Sequence, residues 1–233
     1  MSDSEILISE VGPRDGLQSI ERIMPLDAKK AWIAAEVAAG VREIEVGSFV
    51  PAKILPQLAD TAEVVAFAKT LPLTVAVLVP NARGAEAAIA AGADKLTLPL
   101  SVSETHSLRN LRRTHVQVLE EASAIAAMIA ALPVGRRPHF EGSLSTAFGC
   151  TLEGNIDDAQ IARLAEGLMQ AGCNEVGLSD TTGYANPRSV TRLIKLVRGV
   201  VGDHALTGIH LHNTRGLGLA NCPSSEHSAQ LAA

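Results

Sequence analysis

The sequence of 233 residues has few aromatic residues, few cysteines and no excess of positive charge. Phe, Trp and Tyr make up 3% of the chain, so the aromatic platforms on which nucleic-acid bases stack are scarce. Lys and Arg number 20 against 25 Asp and Glu, a net charge of −5 that argues against a nucleic-acid partner. Three cysteines are too few for a disulfide framework and suit a reducing compartment.

Long apolar runs and a targeting segment are also missing. The longest uncharged run, residues 122–135, is shorter than the roughly 20 residues that a membrane-spanning helix needs. The first residues, MSDSEILISEV, contain no basic region followed by an apolar one, so we expect no signal peptide. With 47% hydrophobic and 19% charged residues, the chain is expected to be a globular cytoplasmic protein without a membrane partner, either α/β or a helical bundle.

Short apolar runs predict seven β-strands, at residues 6–11, 42–49, 73–79, 95–100, 139–145, 175–180 and 206–212. Between them, residues 118–132 and 161–169 repeat apolar side chains at the three- and four-residue spacing of a helix face. Three residues are typical of helix starts: Asp27, Asp157 and Pro187. Strands that alternate with helices indicate an α/β fold with a parallel sheet, either a (β/α)8 TIM barrel or an open doubly wound sheet.

The distribution of polar residues favours the barrel. They follow several different strands, as in a TIM barrel, instead of gathering at one switch point. Residues 213–233 are too few for a helix, an eighth strand and a final helix. We therefore expect a TIM barrel that lacks the eighth strand and the final helix, with residues 1–221 as an incomplete barrel domain and residues 222–233 as a polar tail.

Two histidines and an Arg-Asp pair carry the strongest chemical signals. His210 and His212 stand two residues apart in a predicted strand and would share one face, where two imidazoles form half of a metal site. Alternatively, they form hydrogen bonds at the barrel mouth and bind no metal. In the turn after the first strand, Asp15 would offer oxygen to Mg²⁺ or Mn²⁺, and Arg14 would neutralise an oxyanion. The alternative is an ion pair that holds this turn.

Two further carboxylates and the cysteines leave more alternatives open. Glu45 lies between apolar neighbours, and a buried carboxylate needs a partner such as Arg14, unless Glu45 is exposed at a strand edge. Asp180 ends the sixth strand as a base, as a support for another polar group or as a helix cap. We interpret the three cysteines as small apolar fillers: Cys150, Cys173 and Cys222.

Five segments follow one another on the predicted strand ends: VGPRDGLQ (11–18), IEVGSF (44–49), FGCTLEG (148–154), LSDTTG (178–183) and HLHNTRGLGLAN (210–221). In this order they resemble the 3-hydroxy-3-methylglutaryl-CoA lyase family of metal-dependent (β/α)8 barrels, from about residue 5 to residue 221. The resemblance implies retro-Claisen-type cleavage of 3-hydroxy-3-methylglutaryl-CoA, or of a similar 3-hydroxyacyl-CoA, to acetyl-CoA and acetoacetate.

The resemblance also implies roles for individual residues. It implies three ligands of a divalent cation, Mg²⁺ or Mn²⁺: Asp15, His210 and His212. It implies three catalytic residues: Arg14, Glu45 and Asp180. The first would polarise the thioester carbonyl of the acyl-CoA, the second would support it, and the third would handle a proton near the reacting hydroxyl. Gln18 and Asn213 would lie behind the ligands.

The sequence departs from the family pattern in three places. Asn213 stands where the family has Asp, and Arg215 where it has an aromatic residue, which leaves a different acyl-CoA substrate open. The family's glycine-rich loop with its cysteine has no counterpart, because we interpret residues 215–221 as the start of the next helix. The family's asparagine ligand beyond the eighth strand is absent too, so we expect a widened gap between the ligands and two unpaired strand edges.

Three functional hypotheses remain at this point. The leading one is an acyl-CoA lyase, and the second is a related acetyl-CoA-condensing synthase of the isopropylmalate or homocitrate type. The third is a catalytically inactive fragment, for which a homodimer that completes the barrel in trans is one expected state.

Overall fold

A computed structural model describes residues 6–222 and the backbone of residues 230–232. Eight parallel strands form a closed barrel in chain order, because each strand pairs with the next and the eighth pairs with the first. The strands are β1 (Leu7–Glu10), β2 (Glu43–Ser48), β3 (Thr74–Leu78), β4 (Lys95–Ser101), β5 (His139–Ser145), β6 (Glu175–Ser179), β7 (Leu206–His210) and β8 (Gln230–Ala232).

Helices connect the strands and surround the barrel. They are α1 (Leu26–Ala38), α2 (Thr61–Ala68), α3 (Ala82–Ala91), α4 (Glu104–Asn110), α5 (His115–Ala130), α6 (Asp158–Gln170), α7 (Pro187–Val201) and α8 (Gly218–Asn221). Two predicted helix starts are confirmed, since the Asp157 side chain caps α6 and Pro187 is the first residue of α7. Asp27 lies within the first turn of α1 instead of preceding the helix, which begins at Leu26. Gly218 begins the helix expected within residues 215–221.

The barrel and its first seven strands are confirmed, and the open doubly wound sheet is excluded. The expected absence of an eighth strand is wrong. Residues 230–232 pair with residues 7–9 of β1 and with residues 208–210 of β7, so three residues are enough to join the two strand edges. Sheet closure therefore needs no second copy of the chain.

Within the tail expected at residues 222–233, residues 230–232 form β8. Residues 223–229 and 233 lie outside the described residues, so the boundary after residue 221 stays a prediction. The expectation that this chain lacks a final helix concerns residues after Ala232, which lie outside the described residues, so it stays a prediction.

The apolar core lies between the sheet and the helices. Outward side chains of the strands, such as Ile44, Leu98 and Val176, are fully buried against apolar helix faces. The apolar faces expected for α5 and α6 are confirmed. The buried residues of α5 include Val118, Ala122, Ile125 and Ile129. Those of α6 are Ile161, Leu164, Ala165 and Leu168. Many inward positions of the strands are small or polar instead, and together with a few apolar residues such as Leu78 they enclose a cavity.

The cysteines fit the interpretation as fillers. Cys150 and Cys173 are buried and Cys222 is half-buried. Burial raises the pKa of the Cys173 thiol to about 12, which keeps it protonated and unreactive near neutral pH. Among the described helices, none combines the length and the apolar character that crossing a bilayer requires.

Candidate active site

A short helical turn at the carboxyl end of β1 places Arg14 and Asp15 beside the cavity. The chain from Gly12 to Gly16 forms one π-helical turn, in which the Val11 carbonyl accepts hydrogen bonds from the backbone N–H groups of Arg14 and Asp15, at 3.0 and 2.7 Å. Pro13, the second residue of this turn, restricts its own φ angle. The two charged side chains therefore project from a constrained backbone.

Arg14 is held between two carboxylates. Its Nε donates to Glu45 Oε2 at 2.5 Å, and its Nη1 donates to Asp15 Oδ1 at 2.8 Å. The Arg14–Glu45 partnership inferred from the sequence is thus confirmed, and so is the local Arg14–Asp15 ion pair. Burial disfavours the Arg14 cation, but the charges of Glu45 and Asp15 outweigh burial and raise the pKa of Arg14, which stays positive.

Asp15 faces both histidines with its second oxygen. Asp15 Oδ2 lies 3.1 Å from His212 Nε2 and 3.5 Å from His210 Nε2. The ligand atoms of these three residues all lie within 4.8 Å of one another. The expected gap between them is wrong, because β8 keeps β7 next to β1. One carboxylate oxygen and two imidazole nitrogens on one side of an open cavity form a donor set suited to a divalent cation such as Mn²⁺.

Hydrogen bonds behind Asp15 and His212 fix the orientation of these expected ligands. His212 lies beyond the end of β7, not within the strand as predicted, yet its ring centroid is 4.7 Å from that of His210. The Thr181 carbonyl lies 3.1 Å from His212 Nδ1, so Nδ1 carries a hydrogen and Nε2 faces Asp15. Gln18 Nε2 donates to Asp15 Oδ1 at 3.0 Å, which places Gln18 where the sequence interpretation expects it.

The charges of this cluster favour an ionised Asp15. Burial acts to raise the pKa of Asp15, but hydrogen bonds from His210 and His212 and the charge of Arg14 hold that pKa well below its usual range. The Asp15 hydrogen bond is the largest cause that raises the pKa of His212. An ionised carboxylate is the form that binds a metal.

In the structure, the side chains of two expected site residues, Asp180 and Asn213, accept hydrogen bonds from backbone N–H groups. The Asp180 carboxylate turns into the β6–α7 loop, where Oδ1 accepts a hydrogen bond from the Ala185 N–H at 3.0 Å. Its backbone N–H donates to the His210 carbonyl at 2.8 Å, and burial raises its pKa. Asn213 is exposed, and its Oδ1 accepts from the Gly218 N–H at 2.9 Å, so it shapes the turn before α8.

The cavity has a volume of about 580 Å³ and reaches from the barrel mouth to a charged floor. At the floor, Lys95 Nζ lies 2.7 Å from Glu175 Oε1, 2.9 Å from Glu141 Oε2 and 3.8 Å from Glu43 Oε1. Burial acts to lower the pKa of Lys95, but the three carboxylates outweigh burial and raise it. We call these four residues, Glu43, Lys95, Glu141 and Glu175, the floor cluster.

Sequence reasoning missed the floor cluster, although a signal was present. Each of its residues is a charged residue at the start of a strand or two residues into it. Glu43 and Glu45 stand two residues apart in β2, so they share the inward face. Period-two charge in a strand that is buried throughout indicates a polar barrel interior.

Comparisons with known proteins match nearly the whole chain. The family model described as HMGL-like matches residues 5–227. A Pseudomonas aeruginosa protein named 3-hydroxy-3-isohexenylglutaryl-CoA/hydroxy-methylglutaryl-CoA lyase is 37% identical over 224 residues, which cover 95% of this chain and 72% of that protein. A mitochondrial hydroxymethylglutaryl-CoA lyase of Arabidopsis thaliana is 36% identical over 217 residues, or 93% of this chain and 45% of that protein.

Solved structures show the same relationship. The structure of an HMG-CoA lyase from Acinetobacter baumannii in complex with coenzyme A and 3-methylmalate matches with a TM-score of 0.87 and 35% identity. That match covers 100% of this chain and 75% of the other chain. This chain therefore spans between about half and three quarters of the length of these relatives.

Proposed function

The chain belongs to the HMGL-like family, and from this membership we propose that it is a divalent-metal-dependent lyase of a 3-hydroxyacyl-CoA. The proposed substrate is 3-hydroxy-3-methylglutaryl-CoA or a close analogue, which it would cleave to acetyl-CoA and acetoacetate or the corresponding 3-oxo acid. One observation carries the proposal: Asp15, His210 and His212 meet beside a guanidinium that two carboxylates hold in place. We also propose a cytoplasmic location.

Asp15, His210 and His212 would hold the cation, as the donor set of these three residues allows. The cation, when bound, lowers the pKa of the substrate's tertiary hydroxyl and orients that group. We place Mg²⁺ or Mn²⁺ there, because a carboxylate and imidazoles beside an open cavity suit both. Gln18 would keep Asp15 in its orientation through the hydrogen bond to Oδ1.

Arg14 would stabilise the charge that develops on the thioester oxygen. Its contacts with Glu45 and Asp15 use Nε and Nη1, so Nη2 is the group we assign to that oxygen. As the bond between C2 and C3 of the acyl group breaks, its electrons form the enolate of acetyl-CoA, and the hydroxyl oxygen becomes a carbonyl. The proton that leaves the hydroxyl is balanced by a proton gained at the enolate carbon, so no oxidant or reductant is needed.

Asp180 would act indirectly. Its side chain holds the β6–α7 loop through Ala185, and its backbone N–H holds the His210 carbonyl. The loop in turn carries the Thr181 carbonyl that orients His212. Asp180 is therefore proposed as a positioning residue for the two histidines, and its proton-handling role stays a prediction.

The test is turnover of 3-hydroxy-3-methylglutaryl-CoA by the purified chain, with acetyl-CoA and acetoacetate measured separately. We expect equal amounts of the two products, loss of turnover in EDTA and its return with Mn²⁺ or Mg²⁺. Formation of a condensation product from acetyl-CoA and a 2-oxo acid, with no cleavage, would favour the synthase instead. No reaction in either direction would leave the family's fold without its activity.

A further inference from the structure

We propose that the space between the metal ligands and the floor cluster is a polar subsite, which takes a hydrogen-bonding substituent on C3 of the acyl group in preference to an apolar one. This inference rests on the proposed function and names its substrate class. The recognised chemistry is a hydrogen-bond donor, such as a hydroxyl, on a short chain.

The first observation is the depth of the cavity. Glu43 and Lys95 begin their strands at the amino end of the barrel, whereas Arg14, His210 and His212 lie at the carboxyl end. Since a strand rises about 3.3 Å per residue, Glu43 lies about 7 Å below Glu45 along β2. Both layers line one continuous cavity, so the floor is open to a group that enters past the metal ligands.

The second observation is that the intervening layer is filled with small and hydroxyl-bearing residues. The cavity walls there are formed by Ser9, Ala76, Thr97, Ser143, Gly177 and Gly208. TIM barrels usually fill such layers with branched apolar side chains such as Val, Ile and Leu. The small residues leave space below the metal ligands, and the hydroxyls of Thr97 and Ser143 make two of its walls polar.

The third observation is the position of Glu141. Its Oε2 pairs with Lys95, and its Oε1 lies directly over Gly177, where an added Cβ would be 2.3 Å away. Glycine at position 177 therefore makes room for the Glu141 carboxylate, which itself lines the cavity. Lys95 contacts all three carboxyl groups of the floor cluster, and His139 and Thr207 also contact Glu175. Of the three, Glu43 and Glu141 line the cavity and offer acceptor atoms to it.

These observations point to the C3 substituent of the acyl group. The coenzyme A portion is too large to pass the ring of strands, so it stays at the mouth and the acyl group enters. The metal ligands and Arg14 would hold the hydroxyl, the carboxylate and the thioester, which leaves the C3 substituent to point inward. An apolar substituent would displace water from the Glu141 carboxylate without replacing its hydrogen bonds, whereas a hydroxyl would donate one.

The experiment compares three substrates that differ only at C3. They carry a methyl group, a 3-hydroxypropyl group or a butyl group, and the last two match in length and shape. We expect kcat/KM for the hydroxypropyl substrate to exceed that for the butyl substrate by about tenfold or more, because the rejected analogue leaves buried polar groups unpaired. Cleavage of the methyl substrate with equal or better cleavage of the butyl one would overturn the subsite and leave the lyase intact. No cleavage of any of the three would overturn both.

Two variants connect the preference to the residues. Glu141→Met keeps the side-chain length and removes the acceptor, so the hydroxypropyl-to-butyl ratio should fall to about one or below. Thr97→Val, which removes one wall hydroxyl at constant shape, should lower the ratio less and covers the case in which Glu141→Met fails to fold. Glu166→Met, at an exposed position of α6, is the matched control and should keep the wild-type ratio. An unchanged ratio in both test variants would overturn the assignment.

Discussion

At the residue scale, Arg14 makes two side-chain contacts through different nitrogen atoms, and the two contacts have different consequences. Its Nε contact with Glu45 fixes the guanidinium, while its Nη1 contact with Asp15 couples it to the proposed metal ligands. Both contacts are formed in the folded chain without a substrate, so the proposed reaction would need little reorganisation as charge developed on the thioester. A residue of this kind affects turnover more than it affects metal binding.

Arg14→Met should therefore lower kcat about 100- to 1000-fold, which is the usual cost of losing one preorganised oxyanion donor. Mn²⁺ affinity should change by less than the loss in turnover, because all three proposed ligands remain. Isothermal titration calorimetry measures the Mn²⁺ affinity, and a steady-state assay measures kcat. The control is Arg136→Met, an exposed arginine before β5, which should leave both quantities unchanged. Near-normal turnover in Arg14→Met would remove Arg14 from the mechanism.

Unlike Arg14, the two histidines should affect Mn²⁺ binding as well as turnover. His210→Ala and His212→Ala each remove one of three nitrogen or oxygen donors, so Mn²⁺ affinity should fall by at least tenfold and turnover should fall with it. His204→Ala, at an exposed position before β7, is the matched control. If both site variants bind Mn²⁺ as tightly as the wild type, the metal site lies elsewhere.

At the scale of elements, the position of β2 depends on a close contact with α2. Gly47 passes so near Thr61 that a Cβ at position 47 would lie 2.5 Å from the Thr61 hydroxyl oxygen. Thr61 cannot yield easily, since its hydroxyl donates to the Leu58 carbonyl at 2.7 Å and accepts from the Ser48 N–H at 3.2 Å. Glu45 stands two residues before Gly47, so this contact helps to position the partner of Arg14.

Gly47→Ala should lower the free energy of unfolding by about 1–3 kcal/mol, the usual cost of overpacking a buried contact. Urea unfolding followed by circular dichroism measures the change. Gly135→Ala is the matched control, because nothing lies within 4 Å of a Cβ at position 135. Adding Thr61→Ala to Gly47→Ala should recover part of the loss, whereas strict additivity of the two changes would argue against the contact.

At the scale of the whole molecule, the outer face of the barrel sheet packs apolar side chains against the helices, and its inner face carries charged side chains. The apolar faces of the strands are buried against the helices, and the floor cluster joins β2, β4, β5 and β6 across the interior. Burial acts to raise the pKa of Glu175, but His139 and Lys95 outweigh burial and lower that pKa to about 2. The pKa of Glu141 is raised instead, because burial raises it more than the charge of Lys95 lowers it.

Glu175 therefore links stability to acid pH. Its folded pKa of about 2 lies below the ordinary value of 4.5, so its contribution is present above pH 4.5 and is lost as the pH falls towards 2. Between pH 6 and pH 3, Glu175→Gln should lose about 2 kcal/mol less free energy of unfolding than the wild type, as the two pKa values require.

Urea unfolding at both pH values measures this difference. Glu166→Gln, on the exposed face of α6, is the control and should follow the wild type. An acid loss in Glu175→Gln that equals the wild-type loss would mean that Glu175 is not held ionised by His139 and Lys95. A lower stability of this variant at pH 6 alone is expected, because Lys95 loses a partner.

Local order along the chain was predictable from the sequence, because it depends on short-range chemistry. Runs of apolar residues bounded by turns predicted seven strands to within about two residues, and the spacing of apolar residues predicted the buried faces of α5 and α6. The Gly-Pro-Arg-Asp-Gly motif predicted a turn that presents Arg14 and Asp15, because proline and glycine restrict the backbone there. The partner of Glu45 followed from the cost of burying a carboxylate alone.

Contacts between distant segments were decided by the tertiary structure. No local pattern marks residues 230–232 as a strand, because their pairing depends on the open edges of β1 and β7 and not on their own composition. Asp180 and Asn213 stand in motifs that suit a catalytic site, yet backbone N–H groups at positions 185 and 218 bind their side chains. The floor cluster likewise forms because the closed sheet brings charges from four strands into one layer. The sequence thus determined which elements form and which residues carry charge, while barrel closure decided which of those charges meet.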